Sequence, residues 1–462
     1  MNSLRKYSNS GSQRGQIFPM FALFLVVMML FLAMAIDLGY AYVTKANLSK
    51  ALDAAALRGM LSISQGTTQA AAIAQSVFAA NYQTSGRDSG TVTPTVTFTP
   101  NPPVAGQLTT INVSASTSIN TFFARILPNL STLTVGDTAQ STRANVMLSL
   151  VLDVSGSMND NGGAQALPPA VQDFISYFSN TLDQASVSTF SDFASPVPNA
   201  TGLALDLNME HNFTSDVTNL TNSMSGNFGG GTYSQGGLDR AAFQLCGWAV
   251  PGVYPYAATC PVVTNTTKVV VFFTDGWANS NQDVLNGPGC PANTPIYYGG
   301  CSPAEAAPSA DFPNAPGWCG GVHFWDRTHL PGNNEYNCQA TNFPQKQPGN
   351  FGQLAQNGVS ITQAQENISN DAMYRAITWA NAMRSQGVIV YAVGLGSMIN
   401  QPYLQMMAND PSGASFEGFS YNSNTPSGLA VFAVDCPGPS CASELDSAFQ
   451  TVASDILLRI TQ

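Results

Sequence analysis

Charge is the scarcest property of this chain: only 9% of its 462 residues are Asp, Glu, Lys or Arg, against roughly 25% in an average soluble domain. Sixteen basic residues stand against 27 acidic ones, a formal net charge of −11. Such a balance offers no basic surface for phosphates, so nucleic acid is excluded as a partner and cations or metal ions suit the chain better. Histidine is rarer still, with only His211, His323 and His329 present. A serine nucleophile needs an adjacent base, and none of the three adjoins a serine motif, so no enzymatic activity is expected. A CxxC pair is also missing. The eight cysteines, Cys246, Cys260, Cys290, Cys301, Cys319, Cys338, Cys436 and Cys441, are loosely spaced in the C-terminal half. An even number in that pattern points to disulfides in an oxidising compartment, with the connectivity open and Cys436–Cys441 one local possibility. His323 and His329 in GVHFWDRTHL fit no common zinc spacing, and oxidised cysteines could not complete one.

What is present in quantity is apolar sequence, 44% of the chain, enough to build a core. Gly, Ser, Thr, Asn and Pro fill much of the rest, which suits an exported protein. Residues 17–36, IFPMFALFLVVMMLFLAMAI, carry no charge and have the ~20-residue length that a helix needs to cross a bilayer. Arg5, Lys6 and Arg14 precede this run and Asp37 follows it, an asymmetry that places residues 1–16 in the cytoplasm and the bulk outside. The alternative is a cleaved signal peptide, with Ala33-Met34-Ala35 as its small-residue site. Beyond Asp37 the text reads as continuing helix, with Leu48, Leu52, Ala55 and Ala56 on one stripe. Residues 69–83 are alanine-rich and also predicted helical. From 90 to 143 the composition turns to Thr, Val and Pro, and TVTPTVTF and TTINVSAS alternate as half-exposed strands around the turn TPNPPVAGQ. This small β-rich stalk is either a spacer or a binding element.

From Asn145 onward strands alternate with amphipathic helices, the pattern of an α/β domain with a doubly wound, mostly parallel sheet. NVMLSLVLD, ASVSTFS, KVVVFFTD and VIVYAVGLG are predicted strands. LPPAVQDFISYFSNTLD is a predicted helix with its prolines in the first turn and Val171, Phe174 and Phe178 on one face. AMYRAITWANAMRSQG is another, ending at Gly387, and the closing helix sets Leu445, Phe449, Val452 and Ile456 on one stripe. The segment from about 277 to 365, dense in Pro, Gly, Asn and aromatics and carrying four cysteines, reads as an insertion that either shapes partner specificity or is a stapled ornament.

The first strand of this domain ends in DVSGS. In an open parallel sheet the functional crevice lies beyond the carboxyl ends of the strands. There Asp153, Ser155 and Ser157 alternate so that their oxygens can share a side, as a hard cation requires. Helix capping explains the same letters. Thr232 in FGGGTYSQGGL and Asp275 at the end of VVFFTDG each add one hard oxygen. In this order the five residues resemble the metal-ion-dependent adhesion site of von Willebrand factor A domains. The resemblance covers residues 144–276 and 366–462 and implies a divalent ion, usually Mg²⁺, with Mn²⁺ or Ca²⁺ open. Ser155, Ser157 and Thr232 would hold it directly or nearly so, and Asp153 and Asp275 partly through water. It further implies a protein partner whose carboxylate completes the coordination, which is adhesion rather than catalysis.

The membrane end, GQIFPMFALFLVVMMLFLAMAIDLGYAYVTKANLSKALDAAALRG, together with TFFARILPNLSTLTVGDTAQSTRA, resembles TadG-like proteins of the tight-adherence (Flp) pilus-assembly machinery. RGQIFP is also similar to the start of pilin-like subunits, but Met20 stands where those carry a glutamate. The organisation expected is thus 1–16 cytoplasmic, 17–36 transmembrane, 37–89 a helical TadE/TadG-like segment, 90–143 a β-rich stalk and 144–462 the A domain with its insertion. The family implies a single-pass protein of the bacterial inner membrane with its bulk periplasmic, and other Tad pilus-assembly proteins as partners. The cleaved alternative would be secreted or cell-surface. The leading functional expectation is metal-bridged binding in pilus assembly or adhesion; the alternative is a structural scaffold in which the metal only stabilises the loops.

Overall fold

The computed structural model describes residues 17–83, 90–126, 130–160, 162–196, 205–224, 226–248, 259–285, 287–300, 322–326, 336–338, 361–434 and 440–461. The helix of the uncharged run continues past Asp37, as the sequence reading expects. The run opens a single helix, α1 (Ile17–Leu61), of about 68 Å at ~1.5 Å per residue. Its first part is exposed and long and apolar enough to cross a membrane. Its second part buries Leu48, Leu52, Ala55 and Ala56, the stripe read from the sequence. Helix α2 (Thr67–Asn81) packs Ala70, Ala74 and Phe78 inward. Gly59 permits that approach, because a Cβ there would stand 2.9 Å from the Ala74 Cβ and 2.8 Å from Ile111 Cδ1. Strands β1 (Thr95–Thr99), β2 (Thr109–Asn120) and β3 (Thr132–Arg143) form a sheet in that order, β1 antiparallel to β2. β1 starts only after Pro94, later than the alternation of TVTPTVTF suggests, since proline has no N–H for a ladder. These elements form one compact unit of the chain, Met1–Met60, Thr67–Thr99 and Thr110–Ser141.

The second unit comprises Leu61–Gly66, Pro100–Thr109 and Thr142–Gln462. Its elements run β4 (Asn145–Asp153), α3 (Ser157–Asp160), α4 (Gly163–Ile175), β5 (Gln184–Phe190), β6 (Asp206–Glu210), α5 (Thr214–Ser223), α6 (Ser234–Cys246) and β7 (Thr266–Thr274). Three short strands follow, β8 (Ser280–Val284), β9 (Pro295–Gly299) and β10 (His323–Trp325). The chain then closes with α7 (Ile361–Ser385), β11 (Ile389–Leu395), α8 (Gln401–Ala408), β12 (Ala430–Ala433) and α9 (Ser440–Ile460).

The main sheet has the order β12-β11-β7-β4-β5-β6, parallel except where β6 meets β5. Its period-two side chains feed two cores. On one face Leu148, Leu150 and Leu152 meet Val171 and Phe174 of α4 and Phe449 and Val452 of α9. On the other Val151, Val270 and Phe272 meet Leu238 of α6, Trp379 of α7 and Leu404 of α8. Burial on both faces is why these strands read as unbroken apolar runs. From β4 the chain builds towards β5 and β6, then returns through β7 to build the other half. The strand order therefore reverses between β4 and β7, and the crevice for a ligand opens beyond their carboxyl ends.

Helix boundaries differ from the sequence reading, and α4 ends at Ile175, short of Phe178. α4 begins at Gly163, before Pro168 and Pro169. Ala164, Gln165 and Ala166 ahead of the prolines are good helix formers, and each proline removes a ladder bond and crowds the carbonyl four residues before it. α7 begins well before residue 372 and ends where Gly387, at φ +85°, turns the chain and donates to Arg384 O at 2.9 Å. Disulfides form as expected, Cys246–Cys260 and Cys290–Cys338. Cys441 is buried, while Cys301, Cys319 and Cys436 lie outside the described residues, and with them the pairing of Cys436 and Cys441. Oxidation removes Cys290 and Cys338 as zinc ligands, and His323 sits in β10 opposite Gly299. His329 lies outside the described residues.

Candidate metal centre

DVSGS leaves the carboxyl end of β4 and Asp275 leaves that of β7, the two strands that flank the switch point. The five predicted oxygens are all buried, with Asp153 and Asp275 at 0% exposure and Ser157 at 9%. Ser155 Oγ and Ser157 Oγ are 3.1 Å apart, and Ser157 Oγ donates to Asp275 Oδ1 at 2.7 Å across 118 residues of sequence. Asp153 is held from both sides. Its Oδ1 accepts from Ser155 N at 2.8 Å and its Oδ2 from Thr274 Oγ1 at 2.5 Å. Among the described residues other than its chain neighbours, the atom within 4 Å of where a Gly276 Cβ would stand is Ser157 Oγ, at 3.7 Å.

Thr232 arrives by backbone. Its N–H donates to Asn279 Oδ1 at 2.7 Å, and its carbonyl accepts from Asn279 N at 3.1 Å. The glycines before it dock on the DVSGS loop: Gly156 N donates to Gly230 O and Gly229 N to Val154 O, each at 3.0 Å. Within FGGGT the need for a residue without a side chain shows at Gly230. Gly230 adopts φ +89°, and a Cβ there would fall 2.1 Å from Asp192 Oδ2.

Two residues of this corner are not among the five that the sequence points to. Asp192, fully buried in the loop after β5, accepts from Gly231 N at 2.7 Å and so fixes the loop that carries Thr232. The sequence carries a signal for it, because ASVSTF is followed by Ser-Asp much as NVMLSLVLD ends in an acid. Asn279 has no comparable signal; only the fold shows that its side chain clamps Thr232. Nearby, burial pushes the Tyr403 phenol up, and the Asp153 charge acts in the same direction.

The insertion lies against these loops. Tyr297 of β9 packs edge-on against Phe193, 4.6 Å between centroids, and against Tyr233 at 5.4 Å. Those rings are next in sequence to Asp192 and Thr232. Arg375 of α7, braced by Asp371 of the same helix at 2.8 Å, secures the inserted sheet through Asp283 of β8 at 3.0 Å.

The donor set is carboxylates and hydroxyls throughout, which fits a hard divalent cation rather than a soft-ligand site. Among the described residues no cluster of three or more His, Cys, Asp and Glu side chains could hold a metal. Any cation here must therefore lean on serine and threonine oxygens. His211 offers no base, since its Nδ1 lies 2.7 Å from Asp183 O, at the opposite end of β5 from the corner.

Residues 15–74 match the family model Tad, described as "Putative Flp pilus-assembly TadE/G-like". The N-terminal segment is TadE/G-like. The larger unit has an α/β fold, with a mostly parallel sheet and helices on both faces. Among solved structures similar to the chain is the pilus adhesin SpaC from Lactobacillus rhamnosus GG in its open conformation. SpaC is 14% identical with a TM-score of 0.39, over 80% of this chain and 34% of SpaC. The vWF domain of the type V pili tip protein Mfa5 from Porphyromonas gingivalis is 14% identical, TM-score 0.36, over 69% of this chain and 97% of that domain. Proximal thread matrix protein 1 from the mussel byssus, with a zinc-occupied MIDAS motif, is 14% identical, TM-score 0.32, over 69% of this chain and 46% of that one. The chain thus spans about a third of the length of SpaC. No curated protein matches it.

Proposed function

We propose that this is a membrane-anchored envelope protein of pilus assembly or adhesion that captures an acidic group of a protein partner at a divalent-cation site. Asp153, Ser155, Ser157, Thr232 and Asp275 would hold the ion. The observation that carries this reading is the Ser157 hydroxyl, which joins the DVSGS loop to Asp275 across the switch point at 2.7 Å. Capping of α3 would not need it, because a cap bonds to its own helix's N–H groups. A bound cation supplies positive charge and an open coordination position for a carboxylate.

The chain's own residues do the rest. Asp153 is oriented by Ser155 N and Thr274 Oγ1, so its carboxylate is fixed before any ligand arrives. Only two of the five donors are acids, which suits Mg²⁺, since that ion keeps several waters, more than Ca²⁺, which takes more protein oxygens. Asp192 and Asn279 position the Thr232 loop. The aromatic wall of the insertion borders the corner, where it would select among partners. α1 would anchor the chain in the bacterial inner membrane, with residues 1–16 cytoplasmic and the A domain periplasmic, among other Tad pilus-assembly proteins.

Calorimetric titration of the detergent-solubilised chain with Mg²⁺ tests the site, with Asp153→Ala and Asp275→Ala expected to lose the binding while retaining the fold. Crosslinking in the native envelope tests the function. A partner captured in Mg²⁺ but not in EDTA supports metal-bridged binding; equal capture by wild type, EDTA-treated protein and Asp153→Ala sinks it in favour of a scaffold.

A further inference from the structure

The connection between β2 and β3 presents an arrangement that a water-exposed turn does not need. Asp37, at the end of the uncharged run of α1, is 6% exposed and spends both carboxylate oxygens on that connection. Oδ1 accepts from Phe122 N at 2.8 Å, and Oδ2 from Phe123 N at 2.9 Å and Ala124 N at 2.8 Å. These N–H groups open a single 3-10 turn, Ala124–Ile126, and so have no partner within it. At the neck of the connection Thr121 N donates to Ser131 O at 3.0 Å and Thr121 Oγ1 to Leu130 O at 2.6 Å.

Beside these satisfied N–H groups, three of the exposed side chains among the described residues are large and apolar. Phe122 is 50% exposed, Ile126 77% and Leu130 44%. An apolar groove runs between the turn and α1, lined by Val27, Leu30, Phe31 and Met34 of the helix and by Phe123 and Ile126 of the turn. Val27 is ten residues before Asp37, about 15 Å along the helix, which is half of a ~30 Å hydrocarbon layer.

We propose that the turn Phe122–Ile126 inserts into the acyl layer of the leaflet at the Asp37 end of α1, with lipid acyl chains filling the groove. The proposal rests on α1 spanning the membrane. The occupant follows from continuity, because the groove's helical wall is part of the exposed apolar span that would itself face lipid. Backbone at membrane depth must find its hydrogen bonds within the protein, and Asp37 supplies them for three consecutive N–H groups. Arg125, whose guanidinium lies 5.6 Å from the Phe122 ring centroid, has the long stem by which interfacial cations reach headgroups from among apolar neighbours. Asp37 therefore acts as the clasp that lets a loop enter lipid, beyond its part in setting orientation.

The test uses the full chain in phosphatidylcholine/phosphatidylglycerol vesicles, with a photoreactive phenylalanine analogue replacing Ile126 or, as control, exposed Thr97 of β1. Mass spectrometry should find acyl-chain adducts at position 126 and none at 97, and Asp37→Ala should abolish the adduct at 126 while the chain still resists carbonate extraction. A carbonate-resistant chain whose position 126 crosslinks only to another polypeptide, or to no lipid, overturns the insertion alone. Release of the chain by carbonate overturns the membrane reading and the insertion with it.

Discussion

At the residue scale the candidate centre depends on atoms that hold other atoms still. Gly230 is the sharpest case, since its positive φ and the 2.1 Å approach of Asp192 leave no space for a methyl group. Gly230→Ala should cost about 1–3 kcal/mol of stability from backbone strain and also weaken Mg²⁺ binding, as calorimetry on the two proteins would show. A second buried acid does purely structural work. Asp183 pairs with Arg143 at 2.6 Å, both about 1% exposed, and also accepts from Val146 N and Ser179 N. Asp183→Ala strands a buried guanidinium and two amides, so a loss of about 3–5 kcal/mol is expected in urea unfolding, with cation binding intact if the variant folds.

Elements in this chain are mostly decided by stripes. Val171 and Phe174 on α4 and Leu445, Phe449, Val452 and Ile456 on α9 are all buried, as their spacing implies. Phe449 stands between Phe174 at 5.3 Å and Phe273 at 6.0 Å. Phe449→Ala should therefore cost about 3–5 kcal/mol, read as an earlier denaturation midpoint. Boundaries are less legible, because α7 continues N-terminally through polar text that only packing against the sheet and the insertion keeps helical. In the smaller unit one contact titrates. The Ser49 hydroxyl of α1 donates to Asp137 of β3 and, with the Thr138 N–H, holds that carboxyl below its ordinary value. A lowered folded-state pKa gives stability that is complete above about pH 4, the unfolded value, and is lost as pH falls through the folded one. Ser49→Ala should raise the Asp137 pKa in an NMR titration and shift acid unfolding to higher pH.

On the scale of the whole molecule the two units answer different physical demands. The smaller carries the apolar span, and the larger carries both disulfides of the described residues and the oxygen-lined corner. A cation bound only by the folded state adds stability by mass action, about 2.7 kcal/mol at a hundredfold excess over Kd. Removing it with EDTA should lower the melting temperature of the larger unit and leave that of Asp275→Ala unchanged. Reduction acts separately: Cys246 and Cys260 are 14 residues apart, and replacing both with serine should cost about 3 kcal/mol in the chain-entropy account.

What the sequence determined by itself is what local chemistry encodes. An uncharged run must seek lipid or protein, apolar runs bounded by turns make buried strands, and DVSGS with Thr232 and Asp275 supplies oxygens at strand ends. The tertiary structure decided what depends on distant segments meeting. It brought Ser157 to Asp275 across 118 residues, recruited Asp192 and Asn279 to hold Thr232, and turned Asp37 from a flanking charge into the acceptor for the backbone of a turn 85 residues away. Such roles are set by through-space geometry, which no spacing along the chain records, because strand order rather than sequence order places the partners side by side.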